Sequence, residues 1–308
     1  MSDLPQSALF ACEAADPAPP SRRRAAARAM LRMCNLGSGS GGNATVVCVG
    51  GDALLLDAGF GPRTTRQRLA QAGMELEQIR AICLTHLDQD HFRRSWPRTL
   101  AKLGTELFVH RWHLADLDRL PHAGLLREAG LVRVFSDRPF EPLPGVRASC
   151  VRCQHDMQGT ISYRLDTPHG SVGLATDLGH APPALIEHLA GVDLLAIECN
   201  YDERMTIHSS RPSFVNRRNM SDSGHLSNEQ SLEAVRQIDR LSPGGNPRQI
   251  VLLHRSSQCN HPMKVKRVFA REPRIARRVS LTEQRKRTRW FSVRPQPAVT
   301  RHQMLLGF

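Results

Sequence analysis

The sequence predicts an α/β protein in which two sheets lie between layers of helix, a four-layer αββα sandwich. Three observations predict it. Strand-like and helix-like patterns alternate along the 308 residues instead of segregating. Residues 81–84 and 250–253 are short, wholly apolar runs, and 192–197 is apolar but for Asp193, the pattern of strands covered on both faces. Segments with a single apolar stripe fall between them, as at Leu232, Val235 and Ile238.

The elements follow in chain order. Residues 1–30 are rich in Ala, Pro, Ser and Arg and carry no usable periodicity, so a disordered extension is expected, or a true start at Met30 or Met33. A single domain is expected over 31–294, followed by a tail at 295–308. A first strand leads into the glycine-rich loop 37–43, and two more follow at 44–49 and 53–57. Pro62 opens a helix to about Gly73, where its missing N–H costs nothing. After the strand at 81–84, helices are expected at 97–103 and 111–120, and strands at 106–110, 146–153, 160–166 and 171–176. A helix at 182–189 precedes the strand at 192–197. Residues 206–222 are polar and aperiodic and read as a long loop. Ser227 and Gln230 form a capping box for a helix to about Leu241. The strand at 250–253, a helix from Pro262 and short strands near Val279 and Trp290 complete the domain.

Composition narrows the class. Hydrophobic residues make up 40% and charged residues 23%, ordinary values for a globular chain. No apolar run reaches the length of a membrane span, and the N-terminal pattern is not that of a secretory signal, so a cytoplasmic protein is expected. Net charge is +13, nearly all of it from arginine, the only lysines being Lys102, Lys264, Lys266 and Lys286. Arginine forks match phosphate oxygens in pairs, which favours a polyanionic partner. Residues 264–294 are especially basic and read as an electrostatic footprint for nucleic acid, or equally as a solvated face. Of the eight cysteines, Cys48 and Cys83 lie in apolar runs and read as buried thiols, and Cys150 and Cys153 read as strand residues.

The densest chemistry lies at 85–91. His86, Asp88, Asp90 and His91 put four ligand-type side chains within six residues, on a loop leaving a buried strand. Imidazole nitrogen and carboxylate oxygen suit zinc, and one such loop can serve two adjacent ions. Neither ion is complete with two ligands. His155, Asp177 and His254 are ligand-type residues at the ends of apolar strands, where a sheet delivers side chains rigidly. Asp177 has two oxygens and can bridge.

Thr85-His86-Leu87-Asp88-Gln89-Asp90-His91 resembles the signature of the metallo-β-lactamase fold superfamily. Gly41-Gly42-Asn43, Leu56-Asp57-Ala58-Gly59, His155, Thr176-Asp177 and His254 match in order over about 31–290. Glu198-Cys199-Asn200-Tyr201-Asp202, Gly224-His225-Leu226-Ser227-Asn228 and the segment from His254 to Asn260 are similar to one branch, the stand-alone DNA exonucleases and phosphoribosyl cyclic phosphodiesterases. The resemblance implies the metallo-β-lactamase fold, two zinc or manganese ions and hydrolysis of a phosphodiester, with nucleic acid or a small phosphodiester as substrate. It implies that His86, Asp88 and His155 hold one ion, that Asp90, His91 and His254 hold the other, and that Asp177 bridges. The catalytic residues expected are Asp90 and His225, the latter to contact the scissile phosphate or protonate the leaving group. Asp57 and Asp156 are expected to orient ligands. Three features depart from the pattern. Asp88 stands where His is usual, which favours manganese; Tyr201 stands where the branch often has His; and 206–222 has no evident counterpart. Two other readings remain at this level: ester, thioester or lactone hydrolysis on the same metal site, and a nucleic-acid-binding protein with a non-catalytic one.

Overall fold

The computed structural model of the chain describes residues 30–293. All but Met30 of the expected N-terminal extension, and the expected tail at 295–308, lie outside the described residues. Fourteen strands are described: β1 (Leu31–Gly37), β2 (Ala44–Val49), β3 (Asp52–Leu56), β4 (Ile79–Cys83), β5 (Glu106–His110), β6 (Val132–Phe135), β7 (Phe140–Leu143), β8 (Val146–Cys153), β9 (Thr160–Thr167), β10 (Gly170–Ala175), β11 (Leu194–Glu198), β12 (Gln249–Leu253), β13 (Val279–Leu281) and β14 (Phe291–Ser292). They form two seven-stranded sheets, ordered β14-β1-β2-β3-β4-β5-β6 and β13-β12-β11-β10-β9-β8-β7.

The period of two in each strand builds the layers. Leu54, Leu56, Ala81 and Cys83 of the first sheet face Tyr163, Leu174, Ala196 and Val251 of the second, in one core between the sheets. The alternate residues Leu55, Ile82 and Leu107 face outward onto Leu69, Trp96, Leu100 and Leu126, carried by or close to the helices Pro62–Gln71, Trp96–Leu103 and Ala123–Glu128. On the far side Leu195, Ile197, Ile250 and Leu252 pack on Leu185, Leu232, Val235 and Phe269 of the helices Pro183–Leu189, Asn228–Leu241 and Pro262–Phe269. Each fully buried leucine contributes about 1.5–3 kcal/mol of transfer free energy. The four layers expected from the sequence are therefore the layers found.

Three local expectations are corrected. Residues 206–222 are not one long loop: Glu203–Ile207 and Ser213–Asn219 are short helices, the first capped by the Asp202 side chain, which accepts from Met205 N–H at 3.0 Å. The helix expected at 111–120 is broken into a 3-10 turn, Arg111–His113, and a short helix, Leu114–Asp118. The edge strands β6 and β7 escape the sequence reading because their partly exposed residues lack an apolar run. No described helix is long and apolar enough to cross a membrane.

Direction matters most for function. β3, β4, β5 and β6 run parallel, as do β10, β11, β12 and β13. Ligand sites in such sheets lie beyond the carboxyl ends of the strands. The sheets are also joined there: the Tyr163 hydroxyl donates to the Leu84 carbonyl at 2.5 Å, and Ile161 N–H donates to the Thr85 carbonyl at 2.9 Å. Both bonds fix the loop that carries His86 to His91.

Candidate metal centre

The carboxyl ends of β3, β4, β8, β10, β11 and β12 and the loops that leave them deliver Asp57, His86 to His91, His155, Asp177, Glu198 and His254. Among the described residues, five non-glycine residues have a positive φ. Four of them are Asp57 (62°), Asp156 (44°), Asp177 (54°) and His254 (52°). A left-handed residue turns the chain sharply as it leaves the strand. Concentrating that strain at one edge is a mark of a functional site.

The side chains converge. His86, Asp88 and His155 form one group whose ligand atoms all lie within 4.8 Å of one another; Asp90, His91 and His254 form a second, and Asp177 joins His86 and His91 in a third. His91 Nε2 is 2.7 Å from Asp177 Oδ2, and His254 Nδ1 is 3.1 Å from Asp177 Oδ1. Asp177 thus presents one oxygen to each side. A fourth group, Asp177, Glu198, His225 and His254, includes a residue that the sequence reading did not assign to the site. Glu198 ends the apolar strand β11 as Asp177 follows β10. That shared position was the available signal.

The far sides of the rings are held. Asp57 accepts from His91 Nδ1 at 2.7 Å, and Asp57 itself accepts from Thr85 N–H at 2.8 Å. Thr85 Oγ1 lies 2.9 Å from His86 Nδ1, and His155 Nδ1 donates to the Gly224 carbonyl at 2.9 Å. Each leaves its Nε2 for the interior, the arrangement that orients imidazole ligands on a metal. Asn200 Nδ2 lies 2.9 Å from His254 Nδ1. Asp156 does not reach a ring in hydrogen-bond range; its carboxylate is 3.8 Å from His155 Nε2 and takes the Arg218 guanidinium, with Nε at 2.8 Å.

Gly42 of the glycine-rich loop and Gly59 after β3 let backbone come close. A Cβ on Gly59 would land on the Asp90 carbonyl. That carbonyl accepts from Asn43 N–H at 2.7 Å, while Ala58 N–H donates to His91 O at 2.7 Å. Ser38 and Asn43 of the loop reach the site: the Ser38 hydroxyl accepts from His254 N–H at 2.8 Å, and Asn43 Nδ2 is 2.9 Å from His91 Nε2.

The electrostatics fit a cation. Burial opposes charge on His254, yet Asp177, Asp90 and Glu198 outweigh it and hold its pKa up at about 10. Burial likewise opposes charge on His91, and Asp177, Asp57 and Asp90 push its pKa well above the usual value. Asp177 is driven well below the usual carboxylate range, against its burial, by His254 and His91. His86 moves the other way, lowered by burial and then by His91. Asp88 is raised, by burial first and by Asp90 second. Buried acids that draw protons onto neighbouring imidazoles need positive charge. A set of imidazole nitrogens and carboxylate oxygens suits zinc or manganese. The residues present therefore fit divalent ions.

His225 sits beside this centre. Its ring centroid is 5.0 Å from that of His155 and 5.1 Å from that of His254. Its Nδ1 donates to Glu198 Oε1 at 2.7 Å. Glu198 is fully buried, and its other oxygen accepts from the backbone N–H groups of Leu178 at 2.8 Å and Leu226 at 3.2 Å. Tyr201, one of the sequence departures, is buried and belongs to none of the four groups. Asp88, another departure, does belong. A cavity of about 550 Å³ opens over His86, Asp88 and His155.

The basic segment is partly neutralised within the chain. Arg271 pairs with Glu229, Arg278 with Asp239 at 2.7 Å and Lys286 with Glu283 at 3.7 Å. Cys48 and Cys83 are buried, and Cys150 and Cys153 lie on β8, as read from the sequence.

Comparison with known proteins agrees with the geometry. Exodeoxyribonuclease WalJ of Streptococcus pneumoniae is 29% identical over 233 residues, covering 73% of this chain and 81% of that protein. Exodeoxyribonuclease YycJ of Bacillus anthracis is 25% identical over 213 residues, covering 68% and 77%. A crystal structure titled as a new diphosphatase from the PhnP family superposes with a TM-score of 0.58 at 17% identity, over 86% of this chain and 99% of that one. The family described as the beta-lactamase superfamily domain matches residues 53–254, about two thirds of the chain, from β3 to His254. The chain belongs to the beta-lactamase superfamily, with the metallo-β-lactamase fold.

Proposed function

We propose that this chain is a metal-dependent phosphodiesterase that degrades DNA from an end, with residues 31–294 as its hydrolase unit. The observation that carries the reading is the pair of ligand groups joined through Asp177, with His225 held beside them by a buried Glu198. The two relatives named as exodeoxyribonucleases support the substrate class. The arginine-rich balance supports a polyanionic partner. We take the setting to be cytoplasmic.

His86, Asp88 and His155, and Asp90, His91 and His254, with Asp177 available to both sets, would hold two divalent ions, zinc or manganese, which would supply the Lewis acidity that activates water and offsets phosphate charge. The remaining work falls to the protein. Asp57 and the Gly224 carbonyl fix the tautomers of His91 and His155, so their Nε2 atoms keep a lone pair toward the site. Asn200 and Ser38 hold His254. Glu198 orients His225, whose Nε2 is placed to give a proton to the leaving oxygen. Arg218, at the rim of the cavity, adds a guanidinium for phosphate oxygens.

A substrate panel tests the reading. Protein loaded with manganese or zinc is assayed on single-stranded DNA, double-stranded DNA, RNA, a cyclic phosphodiester and a lactone. Turnover of DNA with no turnover of the lactone is expected. Lactone hydrolysis without any phosphodiester hydrolysis would overturn it.

A further inference from the structure

The floor of the 550 Å³ cavity is the site already described, but its rims carry side chains that a small phosphodiester would not need. On one rim lies Gly159. A Cβ there would come within 3.1 and 3.3 Å of the Trp112 ring, so the indole stands directly against the cavity wall. Trp112 is 46% exposed, and the Arg152 guanidinium lies 4.6 Å from its ring centroid. Arg218, anchored to Asp156, lines the same cavity. Phe214 lies one turn earlier on the helix Ser213–Asn219, on the same face as Arg218 by the i, i+4 relation, and is 66% exposed. Met157, fully exposed, lines the cavity as well.

Trp and Phe normally contribute by burial. Here one of each stays in water next to a residue that lines the same cavity, Trp112 against Gly159 and Phe214 a turn from Arg218, and each has an arginine beside it. That pairing of aromatic face and cation is how proteins grip an unpaired strand: bases stack on the rings and the guanidinium groups take the backbone. A paired duplex hides its base faces.

We propose that Trp112 and Phe214 stack the bases flanking the cleaved phosphate, so that the substrate entering the site is a single strand or the unpaired end of a duplex. The inference rests on the phosphodiesterase reading above and adds the residues that select the strand. Arg152 and Arg218 track the neighbouring phosphates.

The test compares a single-stranded DNA oligonucleotide with the same backbone carrying abasic residues, using the metal-loaded protein. Wild type is expected to favour the base-bearing strand in kcat/KM by roughly tenfold or more. Trp112→Ala and Phe214→Ala each lower that ratio toward one, chiefly through KM, and Trp112→Phe restores it. A ratio that stays at the wild-type value in both alanine variants, or a wild-type ratio of one, overturns the inference while the phosphodiesterase reading stands. Wild-type protein that cleaves neither strand overturns both.

Discussion

Glu198 Oε1 and His225 Nδ1 lie 2.7 Å apart, with the carboxylate fully buried and the imidazole open on its other side. Burial alone would raise the Glu198 pKa, but His225 and the hydrogen bond between them hold it below the ordinary carboxylate value. A charged, fixed carboxylate makes His225 a directed proton donor. His225→Ala is expected to lower turnover of DNA by about 10²–10⁴-fold. An aryl phosphodiester, whose phenolate leaves without a proton, loses far less. Glu198→Gln falls between. Equal losses on both substrates would remove His225 from the proton-transfer role.

Asp57 holds His91 and the loop at Thr85 and is itself a member of none of the ligand groups. Asp57→Asn keeps its shape but weakens that grip. Metal affinity, measured by competition with a coloured chelator, is expected to fall about 10–100-fold. An unchanged affinity would show that Asp57 serves the fold alone.

Gly59 has no room for a methyl group, because the Asp90 carbonyl occupies the space. Gly59→Ala forces the 88–91 loop outward. Stability is expected to drop by about 1–3 kcal/mol in urea unfolding, as for other overpacked sites. The shift displaces Asp90 and His91, so the variant also binds less metal. A variant with wild-type stability and metal content would contradict the close approach.

Burial pushes the thiols of Cys48 and Cys153 up to about 11 and that of Cys199 up to about 12. A raised folded pKa means that the unfolded chain loses these protons first. The contribution to stability is therefore complete below the ordinary thiol value near 9.0 and is lost as pH rises through 11 to 12. Urea midpoints should decline across that window. At pH 8 the three thiols should resist alkylation until the protein unfolds. Rapid labelling of any of them in the native protein would contradict their burial.

Much of this was legible in the sequence, and physics explains which parts. Apolar runs such as 81–84 and 250–253 leave little choice but a buried strand, so Asp177 and His254 were found simply as ligand-type residues where such runs stop. The cluster at 85–91 was legible because four ligands lie together in sequence. Glu198 ends such a run too, but its role beside the site shows only once tertiary packing places it against His225. The helix Ser213–Asn219 was hidden for a different reason: at seven residues, mostly polar, it is held by contacts rather than by periodicity. Trp112 and Phe214 gained meaning only once the fold set them beside Gly159 and Arg218, which line one cavity.

The most direct test of the central claim is DNA hydrolysis by chelator-stripped protein before and after metal is restored. Stripped protein should release no nucleotides, and adding manganese or zinc to about two ions per chain should restore release. Release that is undiminished by stripping, or absent from fully loaded protein, would contradict a metal-dependent phosphodiesterase.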